Sequence, residues 1–151
     1  YIRAILRECR TIAMVGASAN WNRPSYFAMK YLQEKGYRII PVNPSAAGQE
    51  ILGEKVYAAL SEIPVKVDMV DCFRPAEAIP PIAAAAIAIG ARVLWMQLGI
   101  RNDEAAAMAE AAGLKVVMNR CPKIEYGRLS GEIGWMGVNT RVISSKRLKK
   151  V

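Results

Sequence analysis

The sequence lacks histidine altogether and contains only three cysteines, Cys9, Cys72 and Cys121, among its 151 residues. No two cysteines have the CxxC arrangement, which together with the missing histidine argues against a zinc site. The missing histidine also argues against a histidine-activated nucleophile. The odd cysteine count also argues against a secreted disulfide scaffold, so we expect a reducing, cytoplasmic compartment. The longest uncharged apolar stretch, residues 78–91, is too short for a membrane span, which needs ~20 residues.

Basic residues outnumber acidic residues, and 21 Lys and Arg against 13 Asp and Glu give a net charge of +8. Five of the positive charges lie in a basic tail, residues 141–151, which we separate from a domain spanning residues 1–140. We interpret the tail as a solvated terminus, and nucleic-acid binding is the alternative interpretation. The smaller positive excess on the rest of the chain suits an anionic small ligand.

Apolar runs alternate with helix-like stretches along the chain. The sequence predicts strands at 11–16, 37–42, 67–73, 93–96 and 114–118, and helices at 24–35, 56–60, 75–89 and 102–112. Residues 43–53 are predicted to form a loop. The strands are continuously apolar, as expected when both faces of a sheet are covered. We therefore predict one Rossmann-like α/β domain, a doubly wound parallel sheet of about five strands with helices on both faces.

Small and polar residues follow the predicted strands, where parallel sheets bind their ligands. Gly16, Ala17 and Ser18 follow the first strand and lead toward a helix, so their backbone N–H groups are expected to face a phosphate group. The dinucleotide fingerprint G-x-G-x-x-G is absent, and the second strand ends in Val42-Asn43 without a ribose-binding acid. An NAD(P)-binding oxidoreductase with an atypical phosphate loop is therefore kept only as an alternative.

Six short motifs resemble, in order and spacing, the CoA-binding domain family. They are Gly16-Ala-Ser, Arg23-Pro-Ser-Tyr26, the stretch 36–44 (GYRIIPVNP), the stretch 67–75 (VDMVDCFRP), the stretch 95–99 (WMQLG) and Asn119-Arg-Cys-Pro122. Members of this family are small stand-alone proteins similar to the N-terminal domain of the succinyl-CoA synthetase alpha subunit. The resemblance spans about residues 10–130 and implies a Rossmann-like domain that binds coenzyme A (CoA).

The resemblance also implies roles for individual positions. The loop from Gly16 to Ala19 matches the loop that cradles CoA phosphate, Arg38 stands where a lysine contacts CoA, and Phe73–Pro75 match the adenine pocket. Arginine suits phosphate because its guanidinium can bind in a bidentate manner. We expect Arg38 near the exit of its strand. The complete set of candidate CoA-binding residues is Gly16, Ala17, Ser18, Ala19, Arg23, Pro24, Ser25, Arg38, Asn43, Pro44, Phe73, Arg74, Pro75, Met96, Gln97, Leu98 and Cys121.

We expect a binding protein and not an enzyme. The synthetases that share this domain form a phosphohistidine in a further domain, and this chain has no histidine. The expected role is that of a carrier, sensor or presenting module for CoA or an acyl-CoA, associated with a protein partner or with copies of itself. Cys121 follows the fifth strand beside Arg120, which places its thiol at the ligand edge, within reach of CoA. The alternative is that Cys121 is a small apolar side chain packed beside Pro122.

Overall fold

The computed structural model describes residues 1–129, so the predicted basic tail lies outside the described residues. These residues form seven strands: β1 (Thr11–Val15), β2 (Arg38–Val42), β3 (Glu50–Ile51), β4 (Glu54–Lys55), β5 (Met69–Cys72), β6 (Val93–Met96) and β7 (Lys115–Val117). Five of them form one sheet in the order β2-β1-β5-β6-β7, and all of its neighbouring strands run parallel. The predicted parallel α/β sheet is confirmed.

Five helices cover the two faces of this sheet. They are α1 (Ile2–Glu8), α2 (Pro24–Glu34), α3 (Ile79–Ala88), α4 (Asp103–Ala111) and α5 (Pro122–Leu129). Helices α1, α2 and α5 pack on one face, whose core includes Met14 and Trp95. Helices α3 and α4 pack on the other face, mostly through alanines such as Ala83 and Ala109, whose small side chains allow a close approach to the sheet.

Two helix boundaries confirm local signals in the sequence. Pro24 occupies the first turn of α2, where its missing N–H group has no intrahelical role. Asn102 caps α4, since its side chain accepts a hydrogen bond of 2.8 Å from the N–H of Ala105. Both helices start at the same edge of the sheet.

The predicted helix at residues 56–60 is wrong. The N–H of Val56 donates to the carbonyl of Gln49 (2.8 Å), and the N–H of Tyr57 donates to the carbonyl of Pro41 (3.0 Å). These bonds hold the segment extended beside the β3–β4 hairpin and β2, and a short 3-10 turn at Leu60–Glu62 follows it. Part of the predicted loop at 43–53 thus forms this hairpin.

The order of strands creates a crevice at one edge of the sheet. Strand β1 lies between β2 and β5, so the chain leaves β1 on one side and later returns on its other side. The loops that follow β1 and β5 therefore diverge toward opposite faces, and ligands of such sheets bind between them.

Residues 1–129 contain no helix that is long and apolar enough to cross a membrane. Within the same residues, no group of three or more Cys, Asp or Glu side chains is arranged to hold a metal ion.

Candidate functional site at the carboxyl edge

Gly16 lies at the point where β1, β2 and β5 end. Its N–H donates to the carbonyl of Val42 (2.9 Å), and the N–H of Phe73 donates to the carbonyl of Val15 (2.8 Å). The backbone of Gly16 has a φ of +93°, and a Cβ atom there would lie 2.6 Å from the carbonyl oxygen of Phe73. Only glycine fits this conformation and this close approach.

Two cavities open on either side of Gly16. The first, which we name the Asn43 cavity, has a volume of about 390 Å³ and lies toward β2 and α3. The second, the Cys121 cavity, has a volume of about 680 Å³ and lies toward α2 and α5. Of the predicted site residues, the Asn43 cavity is lined by Gly16, Asn43, Pro44 and Arg74, and the Cys121 cavity by Gly16, Arg23, Pro24, Ser25, Phe73, Gln97, Leu98 and Cys121.

Hydrogen bonds fix the loop after β1. The side chain of Asn43 donates from Nδ2 to the carbonyl of Ala17 (2.8 Å), and its Oδ1 accepts from the N–H of Ser45 (3.0 Å). The N–H of Ser18 donates to Oγ of Ser25, which is buried at the start of α2 (3.1 Å). Gly16 and Ser18 thus direct their N–H groups to protein acceptors, so the expectation that these two groups face a phosphate is wrong.

Two exposed arginines supply positive charge to the cavities. Arg23 lines the Cys121 cavity and Arg74 lines the Asn43 cavity, whereas no Asp or Glu among residues 1–129 lines either one. Neither arginine forms an ion pair within residues 1–129, although Arg92, Arg101 and Arg128 do so. Both guanidinium groups are therefore available to an anionic ligand.

Arg38 lies at the opposite end of its strand, so the predicted position near the strand's exit is wrong. It is the first residue of β2, pairs in register with Thr11, and forms an ion pair of 3.4 Å with Glu54. At ~3.3 Å per residue, four residue steps separate it from Val42 by about 13 Å. The ion pair and this distance both keep Arg38 away from the two cavities.

Five further predicted residues do not line either cavity although they belong to the same edge, namely Ala17, Ser18, Ala19, Pro75 and Met96. Met96 is fully buried in the core on the α3–α4 side, because side chains alternate along β6. Ala19 and Pro75 are exposed. The sequence did not indicate the apolar lining that helices contribute, such as Phe27 from α2 and Ile82 from α3, because a helix pattern alone does not show which turn borders a ligand.

Gln97 is buried without a complete set of hydrogen bonds. The residue lines the Cys121 cavity, only 8% of it is exposed, and its Oε1 atom has no hydrogen-bond partner among the described residues. A buried amide oxygen without a partner costs roughly 1–3 kcal/mol, so Oε1 is a prepared acceptor for a ligand N–H group.

Two hydrogen bonds connect the segment between β7 and α5 to the end of β6 and the loop that follows it. The indole N–H of Trp95 donates to the carbonyl of Arg120 (2.7 Å), and the N–H of Gly99 donates to Oδ1 of Asn119 (2.6 Å). Asn119 adopts a left-handed φ of +59°, which turns the chain toward α5. These contacts place Cys121 at the edge, as predicted from the sequence.

The fold, the strand order and the crevice at the switch point define a Rossmann-like domain. Comparison with protein families matches residues 10–127 to the CoA binding domain family. The chain belongs to this family, which confirms the resemblance seen in the sequence motifs.

Similar proteins include stand-alone chains and parts of larger enzymes. The uncharacterized protein YneT of Bacillus subtilis is 38% identical over 125 residues, which cover 83% of this chain and 91% of YneT. The structure of a hypothetical protein from Pyrococcus horikoshii OT3 has a TM-score of 0.83 at 42% identity and covers 86% of this chain and 90% of that one. The alpha subunit of ADP-forming acetate–CoA ligase I from Pyrococcus furiosus is 40% identical over 77 residues, but these form 17% of the subunit.

Proposed function

We propose that this protein binds CoA or an acyl-CoA across Gly16, with one end of the ligand in each cavity. The observation that supports the proposal most strongly is the pair of cavities that meet at Gly16, since the described residues contribute one arginine and no carboxylate to each. CoA is an elongated anion with a phosphorylated adenosine at one end and a pantetheine arm at the other. Its charged middle would lie near the glycine, and its two ends would leave in opposite directions.

The adenosine end suits the Asn43 cavity. Apolar residues such as Val42, Pro81 and Ile82 form its walls, and they offer flat contacts to a purine ring. Arg74 approaches Gly16 closely, since its Cδ atom lies 3.0 Å from the position that a Cβ would take. The guanidinium of Arg74 is therefore assigned to a phosphate of CoA.

The pantetheine end suits the Cys121 cavity, which is larger and mostly apolar. Phe73, Leu98 and Ile124 would pack against the aliphatic part of the arm. Oε1 of Gln97 would accept a hydrogen bond from one of the two amide N–H groups of pantetheine, and this contact would satisfy its buried lone pairs. Phe73 thus serves the pantetheine end in this proposal, whereas the resemblance implied the adenine end.

We assign a binding role and no catalytic role. The chain has no histidine, so it cannot form the phosphohistidine of the synthetases that share the domain. A carrier, a sensor or a module that presents CoA to a protein partner or to a second copy of itself would need only the edge described above. A cytoplasmic location, in which the three thiols stay reduced, is part of the same proposal.

A matched pair of arginine variants tests the site by calorimetry with CoA. Arg74→Ala is expected to weaken CoA binding by about tenfold, because a charge-assisted hydrogen bond to phosphate contributes ~1.5–3 kcal/mol. Arg38→Ala removes the same charge from the opposite edge and is expected to leave the affinity unchanged. Equal losses for both variants, or no loss for Arg74→Ala, would contradict the proposed site.

A further inference from the structure

Cys121 combines access to the Cys121 cavity with a place at the start of a helix. The residue is half-buried and lines the cavity, and its carbonyl accepts the N–H of Glu125 (2.9 Å), which closes the first turn of α5. Cys121 therefore lies at the first turn of α5 and on the wall of the Cys121 cavity.

A second observation indicates which ligand group enters this cavity. Oε1 of Gln97 is buried and has no hydrogen-bond partner among the described residues, while the surrounding walls are largely apolar. An apolar channel with an unsatisfied acceptor fits a largely aliphatic chain that carries amide N–H donors. The pantetheine arm, with two amides and one hydroxyl along an otherwise aliphatic chain, fits this description and ends in a thiol.

We propose that Cys121 exchanges with the disulfide of CoA and holds one CoA as a mixed disulfide in the Cys121 cavity. The inference rests on the proposed function and adds to it a covalent, redox-dependent mode of binding. The domain would then retain CoA when the disulfide of CoA accumulates and release it when thiols are abundant.

The exchange is balanced without any further reactant. The thiolate of Cys121 attacks one sulfur of the CoA disulfide, and the bond between Sγ and that sulfur forms as the original S–S bond breaks. The second CoA leaves as a thiolate and takes up a proton from water. One disulfide replaces another, so the CoA disulfide itself is the oxidant.

The other two cysteines do not compete for this reaction. Cys9 and Cys72 are buried, with at most 1% of either residue exposed. Burial raises the pKa of the Cys9 thiol to about 11, and burial together with the nearby Asp71 raises the pKa of the Cys72 thiol still further. Both stay protonated and inaccessible at neutral pH.

The test uses the reduced full-length chain, CoA disulfide and intact-mass measurement. The expected product carries one CoA, maps to Cys121 and loses the CoA when dithiothreitol is added. Oxidised glutathione, a disulfide without a nucleotide, serves as the comparison probe and is expected to react at least about tenfold more slowly, because nothing in the crevice positions it. Equal rates for the two disulfides would overturn the proposal.

Variants separate this inference from the proposed function. Cys121→Ser is expected to abolish the adduct, and Cys9→Ala is expected to leave the adduct unchanged. Gln97→Leu is expected to slow adduct formation severalfold, because the pantetheine amide loses its acceptor. CoA binding without any adduct on the unaltered chain would overturn the covalent step alone, whereas absence of CoA binding would overturn both proposals.

Discussion

At the scale of single residues, Gly16 combines a positive φ with a close approach of neighbouring backbone, a combination that glycines elsewhere in the described chain do not share. Gly16 and Gly36 both have positive φ values, +93° and +98°, but a Cβ on Gly36 would meet nothing within 4 Å. A Cβ on Gly16 would collide with the backbone of Phe73. The two positions therefore separate the effect of backbone strain from the effect of crowding at the proposed site.

Gly16→Ala is expected to lower both stability and CoA affinity. A left-handed conformation costs an alanine ~1–2 kcal/mol, and the clash with Phe73 forces the loops after β1 and β5 apart. Gly36→Ala is expected to lose the same ~1–2 kcal/mol and to keep its affinity. Chemical denaturation and calorimetry on both variants measure the two effects, and an unchanged affinity in Gly16→Ala would contradict the placement of CoA over Gly16.

Asp71 is a fully buried carboxyl group in the centre of the sheet. It lies on β5 between Met14 and Trp95 in the strand register, and neither of its oxygens has a hydrogen-bond partner among the described residues. Burial raises the pKa of Asp71 well above its ordinary value. The folded chain thus keeps this proton at pH values where the unfolded chain has lost it.

Asp71→Asn is expected to stabilise the protein increasingly as pH rises. Above the ordinary carboxyl pKa the folded chain binds more protons than the unfolded chain, so the free energy of unfolding falls with pH by at most about 1.4 kcal/mol per pH unit. The amide removes this slope. Urea denaturation from about pH 4 to about pH 8 measures it, and a difference that does not grow with pH would contradict a buried neutral Asp71.

Asp68 provides a control, because its pKa shifts in the opposite direction to that of Asp71. Burial raises the pKa of Asp68, but hydrogen bonds from the N–H groups of Arg10 and Thr11 and the charge of Arg92 outweigh burial and lower it overall. Its stabilising contribution is present above the unfolded pKa and is lost as pH falls through the folded pKa. Asp68→Asn should therefore destabilise the protein at neutral pH and less so in acid.

At the scale of elements, the segment from β7 to α5 is the part of the site that depends most on one side chain. Asn119 tolerates the left-handed turn and also accepts the N–H of Gly99, so it joins the β6 and β7 exits. Asn119→Gly keeps the turn and removes the acceptor. We expect it to lower the free energy of unfolding by about 1 kcal/mol and to weaken CoA binding.

Hydrogen exchange provides the direct measurement for this variant. The amide of Gly99 should lose protection in Asn119→Gly, while the amide of Ala105, held by the Asn102 cap of α4, should keep its protection. Protection that is lost at both amides would indicate general destabilisation and would contradict the local role of Asn119.

The helices and strands also show which elements could be predicted from sequence patterns. The five strands of the sheet and helices α2, α3 and α4 follow from long apolar or helical runs with caps. The β3–β4 hairpin was missed because its two-residue turn is Leu52-Gly53, with φ values of +50° and +86°. Turns of this kind usually begin with Asn, Asp or Gly, so a leucine at the first position conceals the signal. Helix α1 was not predicted, because it is short and its N-cap residue, Tyr1, makes no capping side-chain hydrogen bond.

At the scale of the whole molecule, the position of the site could be predicted but its shape could not. Parallel strands end together, so the residues after β1, β2, β5 and β6 had to meet at one edge. The division of that edge into two cavities depends on how far helices α2, α3 and α5 extend beyond it, which is a matter of tertiary packing. The wrong placement of Arg38 has another reason, because the predicted strand 37–42 already began beside it, and the expectation near the exit followed from the family resemblance alone.

Calorimetry of the full chain with CoA, NAD⁺ and NADPH tests the central claim most directly. All three ligands contain an adenosine and a pyrophosphate, but only CoA has a pantetheine arm for the Cys121 cavity, and β2 ends without an acid for the ribose of NAD⁺. We predict that CoA binds more tightly than either nicotinamide dinucleotide. NADPH binding that equals or exceeds CoA binding would contradict the account.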